Sequence, residues 1–116
     1  LGVIKGVVKK FEFKSNGLSK YPVPQIGWNK IKKTKAKWDT TLLSNNKNNE
    51  FMYFVHSYYV EPEDKNIILT STTYGDKKYC SAIQYNNIFA TQFHPEKSGS
   101  VGLQVYQTLN DNIRKQ

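Results

Sequence analysis

The sequence predicts a strand-rich α/β segment that ends in a single helix. Three observations carry that reading. Three extended runs, 67–73, 78–85 and 88–93, follow one another closely, and Gly75-Asp76 and Asn86-Asn87 offer the tight turns of an antiparallel meander. The stretch from Phe51 to Val60 is apolar and aromatic throughout, as a buried strand requires. From Ser100 the apolar spacing lengthens to about 3.6 residues. Val101, Val105, Leu109 and Ile113 then fall on or near one face, flanked by Leu103 and Tyr106.

The remaining elements are read in chain order. Residues 3–13 are extended, with Gly6 marking a bulge. Ser15-Asn16-Gly17 is a turn. Pro22 and Pro24 bracket Val23 and lead an extended chain into Gln25-Ile26-Gly27-Trp28-Asn29. Trp38 to Leu43 is expected to be a short helix, with Asp39 or Thr40 near its start, and Asn45-Asn46-Lys47-Asn48-Asn49 a solvated loop. Ser98 or Ser100 is expected to cap the last helix. No internal repeat is found.

At 116 residues the chain holds one domain at most. It opens on Leu1 rather than Met and enters an apolar run at once, so it is expected to be part of a longer protein. The net charge is +8, but the 17 basic residues are 16 Lys and Arg114 alone. Base readout and phosphate forks favour Arg, and the Lys excess accompanies abundant Asn, Tyr and Ile. It is read as a coding bias, with Lys32, Lys33, Lys35 and Lys37 a solvated face, and no nucleic-acid role is assigned. One cysteine, Cys80, excludes an internal disulfide framework. Neither a signal peptide nor an apolar run long enough to span a membrane is present, so a cytoplasmic parent with no membrane role is expected.

The stretch with most chemistry is Phe93-His94-Pro95-Glu96-Lys97-Ser98. The run ending at Phe93 delivers His94 at its tip, and Pro95 stops the strand. Histidine serves as acid and base near neutral pH. It does so best when a carboxylate accepts its second ring N–H and fixes the tautomer, a role open to Glu96 two residues on.

His94-Pro95-Glu96, Val55-His56-Ser57-Tyr58-Tyr59, Pro24-Gln25-Ile26-Gly27-Trp28-Asn29 and Leu1-Gly2-Val3-Ile4-Lys5-Gly6 stand in an order that resembles the C-terminal half of class I, triad-type glutamine amidotransferases. Within that superfamily the combination is most similar to the glutaminase subunits of imidazole glycerol phosphate synthases, of histidine biosynthesis. The resemblance runs along essentially all of residues 1–116. It implies a flavodoxin-like, three-layer α/β parent domain with a largely parallel central sheet. Residues 1–116 would supply its later strands, an antiparallel meander and the C-terminal helix. It also implies hydrolysis of glutamine to glutamate and ammonia by a Cys-His-Glu triad, without a metal or cofactor. His94 would be the acid and base and Glu96 its orienter. Ser57 and Tyr58 match positions lining the glutamine pocket. Gln25, Trp28, Asn29, Tyr53 and Lys97 match positions facing a partner (β/α)8-barrel synthase subunit, to which ammonia passes.

One departure is sharp. The family's nucleophile lies in a Gly-x-Cys-x-Gly elbow, and Cys80 has no glycine within two residues. Cys80 is expected to be a small core residue, and the chain alone to be inactive. His56, in an apolar strand, is expected to be a hydrogen-bonded structural histidine. Two rivals stay open: a paralogue supplying ammonia to surface-polysaccharide sugar synthesis, and a basic, non-catalytic module binding RNA or an acidic partner.

Overall fold

The computed structural model describes residues 5–12, 21, 23–35, 37–39, 41–86 and 88–114. The turn expected at 15–17 and the side chain of Ile113 lie outside what it describes, as do residues 1–4. Eight strands, one α-helix and two short 3-10 helices are described: β1 (Gly6–Lys10), β2 (Gln25–Lys30), β3 (Lys32–Lys33), β4 (Phe51–His56), β5 (Tyr58–Pro62), β6 (Ile68–Tyr74), β7 (Lys77–Tyr85), β8 (Ile88–Thr91) and α1 (Gly99–Arg114), with 3-10 turns at Lys65–Ile67 and Pro95–Lys97. The fold is mixed α/β, and every described strand pairing is antiparallel.

The expected meander forms. β6, β7 and β8 run in order, with β3 added at the β6 edge. Gly75 opens the first two-residue turn at φ +64°, and Asn86 stands at φ +53° in the second. Glycine and asparagine tolerate this left-handed region where other residues resist it. The register slips twice around Thr70. There the hydroxyls of Thr70 and Ser81 lie 2.6 Å apart, and Thr72 Oγ1 donates to Ser81 Oγ at 2.8 Å. All three residues are buried, and each hydroxyl satisfies another.

The run 51–60 is two strands, not one. β4 pairs with β2, whereas β5 pairs with β1, and the switch falls at Ser57. The Ser57 carbonyl accepts the Phe11 N–H at 3.0 Å, so the chain leaves one ladder as it joins the next. Nor does Gly6 make a bulge. It opens β1 with its backbone so close to β5 that an added Cβ would meet Glu61 O at 2.6 Å.

The described residues of this stretch, 38–39 and 41–43, are not the expected helix but lie in tight turns; Thr40 lies outside the described residues. Thr41 Oγ1 donates to Trp38 O at 2.8 Å and accepts from Leu43 N at 3.2 Å. Local side-chain bonds of this kind compete with the helical ladder. The loop that follows is not merely solvated. Asn46 is buried and donates to Val101 O at 2.9 Å, and Asn45 Nδ2 donates to Thr108 Oγ1 at 2.9 Å. These bonds lash the loop to α1.

The core gathers Phe11, Ile31, Trp38, Leu43, Met52, Phe54, Tyr59, Leu69, Tyr79, Ala82, Phe93 and Val105. Phe11 lies at its aromatic centre, within 5.5 Å, centroid to centroid, of His56, Tyr59, Tyr74 and Tyr79. On α1 the inward stripe is Gly102, Val105 and Thr108, with Val101 half-buried beside it. Leu109, expected on that face, is exposed. Gly102 rotates the stripe, because it alone lets the helix touch the preceding turn. A Cβ there would fall on Pro95 O and stand 2.8 Å from Ser98 Cβ.

In an unconstrained helix Gly→Ala gains about 1 kcal/mol. Here the contact reverses the sign, and Gly102→Ala is expected to destabilise the intact protein by about 1–3 kcal/mol. Urea unfolding measures it, and a raised midpoint would show that α1 does not rest on this turn.

Candidate active site

β8 ends at Thr91, two residues before the run's last aromatic, Phe93. Phe93 itself forms a bridge to Phe54 of β4 and is buried. His94 follows, and its N–H donates to Tyr53 O at 2.9 Å. Pro95–Lys97 turn as one short 3-10 helix, which curls Glu96 back toward the imidazole. His94 Nδ1 and Glu96 Oε1 lie 2.8 Å apart, with both side chains about half exposed. A carboxylate only accepts, so Nδ1 carries the proton and Nε2 is left as the base.

The backbone beneath this pair is fixed. The His94 carbonyl accepts from Lys97 N at 3.0 Å and from Ser98 Oγ at 2.6 Å. The same Ser98 oxygen accepts the Tyr53 N–H at 2.9 Å. Ser98 was one of the two expected helix caps, with Ser100, yet its buried hydroxyl ties β4 to the histidine turn. The signal was a serine three residues after a proline, which the capping reading absorbs.

The other expected site residues fall into two groups. Ser57 is half-buried at the β4–β5 switch, and Tyr58 is exposed. The Tyr58 carbonyl lies 2.8 Å from His56 Nδ1. On β2 and β4 the outward face carries Ile26 opposite Val55, Trp28 opposite Tyr53 and Lys30 opposite Phe51. The Trp28 and Tyr53 rings meet at 5.7 Å, edge to face, and the Trp28 side chain is exposed. Lys97 is exposed beside Glu96. Asn29 is half-buried, and Gln25 is buried rather than surface-facing.

Gln25 belongs instead to a polar cluster behind the site. Its Nε2 donates to Tyr79 Oη at 2.8 Å and lies 3.0 Å from His56 Nε2. Its Oε1 accepts from Asn29 Nδ2 at 2.9 Å, and that nitrogen also donates to Thr73 O. Tyr79 Oη stands 3.2 Å from His56 Nε2. Burial pushes the Tyr79 phenol well above its usual range. Burial also lowers the His56 imidazole, assisted by the nearby charge of His94 and opposed by the bond to Tyr58 O. Tyr79 escaped the sequence reading because a tyrosine in a strand signals only core.

The family model for glutamine amidotransferase class-I matches residues 13–109. The chain belongs to the class-I glutamine amidotransferase family. Among similar curated proteins is the imidazole glycerol phosphate synthase subunit HisH of Chlorobium luteolum, 45% identical over 109 residues, covering 94% of this chain and 50% of that protein. The HisH of Hydrogenovibrio crunogenus is 46% identical, covering 94% and 48%. That of Methanocaldococcus jannaschii is 45% identical, covering 94% and 50%. The chain thus spans about half the length of the curated relatives it matches.

In an amidotransferase the position of Cys80 matters. It neighbours Tyr79 in β7, so the two side chains point to opposite sheet faces. Tyr79 faces His56, and Cys80 faces a cavity of about 830 Å³ shared with Lys33, Lys35, Lys65, Lys78 and Ser71. His94 and Glu96 do not line that cavity. Burial pushes the Cys80 thiol up to about 11, the opposite of a nucleophile's adjustment.

Two solution tests follow. At pH 8 the raised thiol leaves about a hundredfold less thiolate than an ordinary cysteine, partly offset by the greater nucleophilicity of a more basic thiolate. Cys80 is therefore expected to react with iodoacetamide about tenfold more slowly than free cysteine, and labelling at the free rate would contradict its placement. His56 gives the second. Its folded pKa lies below the ordinary 6.5. Its contribution to stability is complete above that value and is lost as pH falls through it toward the folded pKa. His56→Asn is expected to flatten the stability-against-pH curve on this acid side. An unchanged slope would place the imidazole in water.

Proposed function

We propose that residues 1–116 form the C-terminal half of a single glutamine amidotransferase domain. The intact protein would be the glutaminase subunit of an imidazole glycerol phosphate synthase. The observation that carries this reading is the His94–Glu96 pair at 2.8 Å, in a chain of this family, on a backbone held by Tyr53 and Ser98. The relatives named above support the synthase subunit over a surface-sugar paralogue, and family membership supports an enzyme over a basic binding module.

In this reading Glu96 holds the Nδ1–H tautomer and stabilises the imidazolium that forms. His94 Nε2 takes the proton of a cysteine thiol supplied by an elbow outside residues 1–116. The thiolate attacks the side-chain amide carbon of glutamine. His94 then returns the proton to the departing nitrogen, which leaves as ammonia, and a thioester remains. Water, deprotonated by His94 Nε2, attacks the thioester carbon; the C–S bond breaks, glutamate leaves, and the cysteine sulfur takes its proton back from His94. Ser57 and Tyr58 line the glutamine pocket, one through its side chain and the other through its backbone. No metal or cofactor enters.

The partner is a (β/α)8-barrel synthase, seated on the outward face of β2 and β4. Exposed Ile26, Trp28 and Phe51 form an apolar ladder there that suits a protein surface. Tyr53, Asn29 and Lys97 border it. Gln25 contributes by holding Asn29 from beneath. The expected compartment is the cytoplasm.

The test uses the intact protein with its barrel subunit. Nucleophile and base act as one unit, so His94→Ala is expected to lower glutamine-dependent synthesis by about a thousandfold. Glu96→Gln is expected to be milder. Ammonia supplied in solution should still be used by both variants, because that chemistry belongs to the partner. Wild-type glutamine turnover in His94→Ala would sink the assignment. An equal loss of ammonia-dependent synthesis would make His94 a structural residue.

A further inference from the structure

His56 lies behind the pair just described, and the proposed chemistry does not use it. Its two ring nitrogens have different neighbours. Nδ1 faces the Tyr58 carbonyl at 2.8 Å, and a carbonyl can only accept. Nδ1 therefore carries the hydrogen. Nε2 faces the Gln25 amide nitrogen at 3.0 Å and the Tyr79 hydroxyl at 3.2 Å.

The orientation of Gln25 is set independently. Its Oε1 accepts from Asn29 Nδ2, and that nitrogen is anchored on Thr73 O at 2.8 Å. A flipped Gln25 amide would turn N–H against N–H. The Gln25 amide hydrogens are thus turned toward the Tyr79 hydroxyl, which accepts one, and toward His56 Nε2. Nε2 has one lone pair, and the hydrogen on it comes from Gln25 or from the Tyr79 hydroxyl; from either donor, that nitrogen accepts. The imidazole is held as an acceptor at Nε2 and a donor at Nδ1. The other titratable groups bearing on it are His94, itself paired with Glu96, and Tyr79; Lys10 stands across the ladder from Tyr58. Phe11 and Phe54 pack on the ring at 5.2 and 5.6 Å and supply no hydrogen bond.

The place where this hydrogen is spent is informative. The β2–β4 ladder ends at His56, and the β1–β5 ladder begins at Tyr58. The bond from Nδ1 to Tyr58 O closes the switch between them, around Ser57. We propose that Gln25, His56 and Tyr79 form a positioning relay that fixes the Ser57–Tyr58 backbone at the glutamine pocket through the neutral Nδ1–H form of His56. The proposal rests on the glutaminase reading for the pocket, but its geometry does not. His56 acts through Tyr58 and is a positioning residue, not a catalytic one.

Two measurements on the intact protein with its barrel subunit test it. In the first, ¹⁵N-histidine spectra report the tautomer of His56, assigned by its disappearance in His56→Asn. The Nδ1–H neutral form is expected at pH 7 to 8. An Nε2–H form, or an imidazolium, overturns the relay whatever the enzyme's substrate is. In the second, His56→Ala is expected to raise KM for glutamine about tenfold, with kcat within about threefold, the size of one lost buried hydrogen bond. His56→Asn keeps a donor near the Nδ1 position and is expected to reverse most of that rise in KM. A purely structural histidine would lower kcat with the folded fraction and leave KM alone. Native KM in His56→Ala, or no rescue by Asn, overturns the relay. Should His56→Ala fail to fold, Tyr79→Phe removes one donor to Nε2 and is expected to shift that nitrogen's resonance; an unmoved resonance overturns the relay as well. If wild type shows no glutamine hydrolysis, the glutaminase reading fails, and the tautomer alone decides the relay.

Discussion

The hydroxyl of Ser98 is the bond on which the arrangement depends. It is buried, accepts from the backbone of β4 at Tyr53 and donates to the backbone of the turn at His94. One oxygen therefore joins the strand whose outer face bears the aromatic ladder to the turn that carries His94 and Glu96. α1 begins one residue later and rests on the same turn through Gly102. Leaving either partner of such a buried bond unsatisfied costs about 1–3 kcal/mol. A local change there would be felt at once in the strand, the turn and the helix.

How much of this was legible depended on whether a residue's role was local. The meander could be read because Gly75 and Asn86 sit where the chain needs positive φ. The pair His94 and Glu96 could be read because two residues and a proline suffice to bring them together. The Gln25 site could not. A glutamine in a half-polar strand reads as surface, and its partners His56 and Tyr79 come from 31 and 54 residues away. Thr41 misled for a different reason: Asp39 or Thr40 reads as a helix start and Leu42-Leu43 as its body, and the hydroxyl's bond to Trp38 O shows that turns win. For Ser98 the local reading, a cap, was plausible and displaced the long-range one.

Polarity is sorted across the β2–β4 ribbon. The inward side of β2 bears Gln25 and Asn29, whose hydrogen bonds are satisfied within the protein. The outward side bears Ile26 and Trp28, both exposed, with the Trp28 ring against Tyr53. On β2 this reverses the usual arrangement, in which the apolar side of a strand meets the core; β4 keeps it and sends Met52 and Phe54 inward. The ribbon is therefore held from its inner side, by hydrogen bonds on β2 and by apolar packing on β4.

The switch at Ser57 also sets the phase of everything downstream. In β4 the buried side chains are even-numbered, Met52 and Phe54. In β5 the buried aromatic is odd-numbered, Tyr59. Ser57 is where the alternation skips a beat. It works as a counter in the chain. In an unbroken two-residue rhythm Tyr58 would follow Met52, Phe54 and His56 to the inner side, and Tyr59 would turn outward. The skip at Ser57 is what brings Tyr59 to Phe11 instead. The two ribbons face as they do because one residue is given over to the switch between ladders.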